Sequence, residues 1–143
     1  MPRPDRVLWR SVQQGTAGAS DVVRRRKILI IDDQPILARA IRRMLGEHDV
    51  AMAFSAREAL SQIEQGERYD VILSDLMMPE ISGMDLYGLI ERVAPDQAGK
   101  MIFMTGGAFT KNAREFFDLV GNPTLEKPFD KAALFAVIDA FLA

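Results

Sequence analysis

The sequence predicts an α/β fold: a doubly wound, five-stranded parallel sheet with helices on both faces. Three observations carry that prediction. Short apolar runs of β-type residues alternate five times with longer stretches of helical periodicity. Two of the runs, Ile28–Ile31 and Val71–Leu73, are continuously apolar, as strands covered on both faces are. Four of the five runs end on or beside a reactive type of residue: Asp32-Asp33, Asp75, Thr105 and Lys127. In a parallel sheet those carboxyl ends share one edge, so the four positions converge on one crevice.

Each element has its own local warrant. Residues 1–25 carry Pro2, Pro4, Gly15 and Gly18 without sustained periodicity and read as a tail or inter-domain linker. Trp9 within it reads as a loosely docked residue or an anchor, and Arg24-Arg25-Arg26-Lys27 as a solvated lead-in to the first strand. After Ile28–Ile31, Pro35 opens a helix at a position where its missing N–H costs nothing. Ile36, Leu37, Ala40, Ile41, Met44 and Leu45 form its apolar face, and Gly46 stops it. His48 reads as a solvated loop residue. Val50–Phe54 is a shorter strand, and Ser55-Ala56-Arg57-Glu58 matches a capping box for a helix ending near Gly66. The strand ending at Asp75 leads into the Met77-Met78-Pro79 loop. A third helix then runs from Gly83 to about Pro95. Lys100–Thr105 is the fourth strand, Gly106-Gly107 a turn, and Phe109–Val120 a helix with Phe116 and Phe117 partly inward. Gly121-Asn122-Pro123 breaks it. Thr124–Lys127 is the fifth strand, and Asp130 caps the last helix.

Bulk properties narrow the function classes. A chain of 143 residues with 48% hydrophobic and 27% charged residues can build one globular core. A net charge of -2 gives no global reason to expect nucleic-acid or membrane binding. Without cysteine there is no disulfide framework and no thiolate zinc site. The apolar runs are too short to span a bilayer, and the charged N-terminus lacks the apolar core of a signal peptide. A cytoplasmic protein is expected.

Three carboxylates gathered in a crevice repel one another, and a divalent cation relieves that repulsion. Oxygen donors without His or Cys favour Mg²⁺. A carboxylate can also attack phosphorus and form an aspartyl phosphate. An ammonium group and a hydroxyl would then neutralise and hydrogen-bond the phosphoryl oxygens, and Lys127 and Thr105 are the right types. Singly, each residue has a plainer explanation. Asp32 or Asp33 could cap the following helix, Asp75 could form an Asx turn, Thr105 could be a β-former and Lys127 a surface lysine. Their joint placement at the strand ends of one sheet argues for a site.

These residues bring the chain close to a known family. Lys27–Asp33, Val71–Pro79 with Gly83-Met84, Thr105-Gly106 and Lys127-Pro128-Phe129 together resemble the receiver domain of two-component response regulators. The resemblance covers residues 26–143. It implies a flavodoxin-like sheet of strand order 2-1-3-4-5. It implies that Asp75 accepts a phosphoryl group from the phosphohistidine of a sensor histidine kinase or a histidine phosphotransfer protein. Asp33, Asp75 and the backbone carbonyl of Met77 would hold Mg²⁺, with Asp32 acting largely through a metal-bound water. Thr105 would move toward the phosphoryl group and Lys127 would pair with it. The Lys127–Pro128 bond would be cis, and Gly106 would supply the small residue needed beside the pocket. The helix 109–120, the fifth strand and the last helix after Asp130 correspond to the family's usual surface for a homodimer or another partner.

Two departures from the family pattern stand out. The position three residues before the lysine, usually Tyr or Phe, is Thr124, and a Thr cannot swing between buried and exposed sites as a ring does. Phosphorylation is therefore expected to reorder the Gly106–Thr110 loop and the helix after it without an aromatic flip. No output domain follows the last helix, so a receiver from a larger protein such as a hybrid histidine kinase is expected, with a stand-alone regulator as the alternative. The module would not be an enzyme beyond its own phosphorylation and dephosphorylation; histidine kinase activity would belong to a larger parent. Other classes fit less well. An aspartate-nucleophile phosphohydrolase usually has a second acid two residues after the nucleophile, where Met77 stands here. A degenerate receiver serving only as an interaction module is disfavoured by the full set of acidic, hydroxyl and ammonium groups. No G-x-G-x-x-G follows the first strand, so dinucleotide binding is not expected.

Overall fold

A computed structural model describes residues 25–107 and 109–143. Trp9, Arg24 and the rest of the expected tail up to residue 24 lie outside the described residues. Five strands form one parallel sheet in the order β2-β1-β3-β4-β5: β1 Lys27–Ile31, β2 Asp49–Ala53, β3 Val71–Asp75, β4 Met101–Thr105 and β5 Thr124–Glu126. The helices between and after them are α1 Pro35–Met44, α2 Ala56–Glu64, α3 Gly83–Val93, α4 Pro95–Ala98, α5 Lys111–Val120 and α6 Lys131–Leu142.

Alternation along the strands sorts the core into two layers. Leu29, Ile31, Ile72, Met101 and Phe103 face one way and pack on Ala56, Ala59 and Ile63 of α2, Leu86 and Ile90 of α3, and Ala113 of α5. Ile28, Ile30, Val71, Leu73, Ile102, Met104 and Leu125 face the other way, onto Ala38 and Ile41 of α1 and Leu134 and Ile138 of α6. Every residue of β3 and β4 is buried. Each fully buried Ile or Leu contributes about 1.5–3 kcal/mol. A one-residue slip of either central strand would exchange its two faces, so these layers pin the register. That register pairs Ile31 with Ser74 and Asp75 with Met104. It brings the carboxyl ends of β1, β3 and β4 to one edge.

Caps set the helix boundaries. Ser55 accepts the Glu58 N–H at 3.1 Å, and the Glu58 carboxylate accepts the Phe54 N–H at 2.6 Å. The expected capping box therefore forms, with its return bond one residue early. Asp130 caps α6 through the Ala133 N–H at 2.8 Å.

Four expectations need correcting. Ile36 does not join the core face of α1; it is 83% exposed, and Ala38 takes the buried place. Pro95 does not only end α3: it opens the short α4, since proline is as suited to a first turn as to a stop. The helix expected from Phe109 begins at Lys111. Thr110 caps it through the Ala113 N–H at 3.0 Å, and the Phe109 ring packs on Phe117 from outside the helix. His48 is half-buried, and its Nδ1 accepts the Arg26 N–H at 3.1 Å.

Candidate functional site

The site is built at the edge where β1, β3 and β4 end. Asp32 follows β1 and is fully buried. One of its carboxylate oxygens accepts the Gln34 N–H at 2.9 Å. The other faces the Lys127 Nζ at 3.3 Å. Asp33 beside it is half-buried. Asp75 is the last residue of β3, and its Oδ1 accepts the Met77 N–H at 3.3 Å and pairs with the Lys127 Nζ, also at 3.3 Å. Met77 itself is 71% exposed on the rim. One ammonium group therefore bridges a carboxylate just past β1 and one at the end of β3.

Lys127 reaches them because of where β5 ends. Its N–H donates to the Thr105 carbonyl at 2.6 Å, extending the β4–β5 pairing by one residue. The peptide from Lys127 to Pro128 is cis, as the resemblance implies. Thr105, the last residue of β4, is buried at the same edge, placed by register and by this backbone bond. Gly83 supports Asp75 from below: a Cβ there would lie 2.7 Å from the Asp75 carbonyl oxygen. Only a hydrogen at that position lets the start of α3 approach the end of β3 so closely.

Asp32, Asp33 and Asp75 each offer an oxygen, and the three oxygens lie within 4.8 Å of one another. Opposite ligands of an octahedral Mg²⁺ are about 4.2 Å apart at bond lengths near 2.1 Å, so this oxygen-only set fits that ion with slight closing. The electrostatics favour a cation as well. Burial pushes the Asp75 carboxyl above the usual carboxylate range. The Lys127 ammonium pulls it down, the Asp32 carboxylate pushes it up, and the Met77 N–H pulls it down, but burial wins. An ionised Asp75 is therefore held at a cost that positive charge relieves.

A family model of the response regulator receiver domain matches residues 28–139. The chain belongs to this family. Among relatives, it is 33% identical to the response regulator ArlR of Staphylococcus saprophyticus, over 81% of this chain and 52% of that protein. It is 31% identical to the transcriptional regulatory protein BtsR of Escherichia coli K12, over 76% of this chain and 44% of that protein. The chain thus spans about half the length of these curated relatives. Among solved structures, a receiver domain protein from Clostridium thermocellum superposes with a TM-score of 0.70 at 30% identity, covering 81% of this chain and 93% of the other. The chemotaxis protein CheY4 of Vibrio cholerae superposes with a TM-score of 0.71 at 25% identity, covering 83% and 100%.

The receiver is a signalling module of two-component systems, and its fold is the flavodoxin-like sheet of strand order 2-1-3-4-5. Of the residues singled out in the sequence, Asp32, Asp33, Asp75 and Lys127 meet through their side chains, and Thr105 shares their edge. Thr124 is exposed at the start of β5. The sequence reading overlooked Glu126, whose carboxylate lies against Gly107. Its only linear signal is its place between a buried Leu and Lys127, which says nothing of the neighbouring loop. Among the described residues, no helix is long and apolar enough to cross a membrane.

Proposed function

We propose that this receiver is a phosphoacceptor switch that takes a phosphoryl group onto Asp75 and changes its partner binding as a result. The observation that carries the reading is the gathering of Asp32, Asp33 and Asp75 at the carboxyl edge of the sheet, with one ammonium group shared by Asp32 and Asp75. The donor would be the phosphohistidine of a sensor histidine kinase or a histidine phosphotransfer protein. A carboxylate oxygen of Asp75 attacks phosphorus, the P–N bond breaks, and its electron pair returns to the imidazole.

Asp32, Asp33 and Asp75, with the Met77 carbonyl, would hold Mg²⁺, Asp32 largely through water. When bound, that ion supplies positive charge that offsets the phosphoryl oxygens. Lys127, already 3.3 Å from Asp75, adds its own charge to the phosphoryl group and keeps the acceptor oriented. Thr105 donates a hydrogen bond to a phosphoryl oxygen after moving toward it. Burial of Asp75 limits water around the acyl phosphate. The receiver unit runs from residue 26 to 143, with 1–25 as a tail or linker, and α5, β5 and α6 form its face for a second copy or another partner.

The test is intact mass after incubation with acetyl phosphate and Mg²⁺. One added phosphoryl group is expected on the wild type and none on Asp75→Asn. Folded wild-type protein of unchanged mass would replace the switch with an interaction module.

A further inference from the structure

Gly107 stands in the turn after β4 at φ 101°, a backbone region that favours glycine. A Cβ built on it would lie 2.5 Å from Oε2 of Glu126, 3.1 Å from its Cδ and 3.5 Å from its Cγ. The Glu126 side chain therefore fills the space that a side chain at 107 would take. The sheet puts it there. Thr105 and Glu126 are directly paired across β4 and β5. Strand alternation turns Leu125 into the core and leaves Glu126 on the other side. The next residue, Lys127, is tied to the Thr105 carbonyl and to both Asp32 and Asp75. Glu126 thus sits between the residue that would meet the phosphoryl group and the one that would pair with it.

We propose that Glu126 is a positioning residue: a prop that holds the Gly106-Gly107 turn in its resting arrangement and is displaced when Thr105 moves toward phosphorylated Asp75. This rests on the phosphoacceptor reading. Two successive glycines bias the backbone weakly, so a contact from outside can decide between arrangements of similar free energy. An atom displaced from Gly107 along the direction of its absent Cβ would run into Glu126, so the turn cannot move that way unless the exposed Glu126 side chain leaves the space. A Cβ at 107 would crowd Cγ and Cδ as well as the carboxylate, so bulk rather than charge is the operative property. Thr124, on the same side of β5 two residues earlier, is too short to do this. The residue that leaves its place on phosphorylation is then a carboxylate next to the lysine, which changes the charge presented beside α5.

The test uses the full chain and amide NMR of Gly106 and Gly107, with and without acetyl phosphate and Mg²⁺. Intact mass is measured on the same samples. The wild type should show phosphorylation-dependent shifts at both glycines. Glu126→Ala should still take up one phosphoryl group, yet show shifted glycine amides before phosphorylation and lose most of the further change. Glu126→Gln, which keeps the bulk, should restore the wild-type response. A full response in Glu126→Ala, or a Gln variant that behaves like the Ala variant, overturns the prop while leaving the phosphoacceptor reading intact. A wild type that gains no phosphoryl group overturns both.

Discussion

Replacing Lys127 with methionine keeps much of its length and removes its charge. The structure gives the size of what is lost. The ammonium lies 3.3 Å from an oxygen of Asp32 and 3.3 Å from one of Asp75. At that distance a unit pair is worth about 1.3 kcal/mol in bulk water and about 5 kcal/mol at an effective dielectric of 20. The carboxylates are almost wholly buried while the lysine side chain is 22% exposed, so its own desolvation and ordering offset part of this gain. A net loss of about 1–3 kcal/mol is expected in urea unfolding without divalent cations, with the denaturant slope unchanged. With Lys127 gone the three carboxylates attract a cation more strongly. Saturating Mg²⁺ at 100 times its dissociation constant adds about 2.7 kcal/mol to any form that binds it. At one Mg²⁺ concentration that saturates both, the gap between wild type and variant should shrink by about 1.4 kcal/mol for each tenfold by which the variant binds the ion more tightly. The sign with pH is also set. Lys127 lowers the Asp75 pKa, so its removal raises the folded value further; the gap is full at neutral pH and closes as acid protonates Asp75. Coincident unfolding curves in chelator would refute the bridging role. A gap untouched by Mg²⁺ would refute the carboxylates as its ligands.

Three further outcomes follow from single contacts. Because burial raises the Asp75 pKa, the ionised form disfavours folding, and its cost is felt as pH rises from the ordinary value of 3.8 through the raised one. Asp75→Asn should thus be more stable than wild type at neutral pH in chelator, with the gain vanishing near pH 3.8, read as urea midpoints across that range. Gly83→Ala should cost about 1–3 kcal/mol and weaken Mg²⁺-dependent stabilisation, because its methyl would meet the Asp75 carbonyl at 2.7 Å and backbone must move; unchanged melting would contradict this. Gln97 is buried and holds both the N–H and the carbonyl of Tyr69, at 2.8 and 3.2 Å. Gln97→Met should lower stability by about 1–3 kcal/mol, leaving the Mg²⁺-induced shift as in the wild type.

What could be read from the residues differs by element for physical reasons. β1 and β3 were plain because continuous apolar runs bounded by polar turns admit few other readings. α4 was not, since four residues carry no periodicity, and a proline serves the end of one helix as well as the start of the next. Ile36 lies off the core face of α1, and in sequence an apolar residue one step off the stripe looks the same as one on it; the short Ala38 fits where α1 meets the sheet. Phe109 is ambiguous in the same way, as its ring joins the aromatic group of Phe103, Phe116 and Phe117 from outside the helix.

The site was legible in its residue types and not in its balance of forces. Parallel topology alone sends Asp32, Asp75, Thr105 and Lys127 to one edge, so their convergence needs only the strand pattern. The distances that matter depend on contacts between residues far apart in the chain. Lys127 bridges Asp32 across 95 positions, and Gly83 lets α3 press on the carbonyl of Asp75. Glu126 shows the same limit from the other side. Its type suggested nothing, and only the pairing of Thr105 with Glu126 reveals that it covers a glycine turn. A carboxylate that burial makes costly and an ammonium that partly repairs the cost leave the edge poised, so adding positive charge should tighten it. Removing the lysine should expose that tension as lost stability, which is why the Lys127→Met measurement bears on the whole site rather than on one contact.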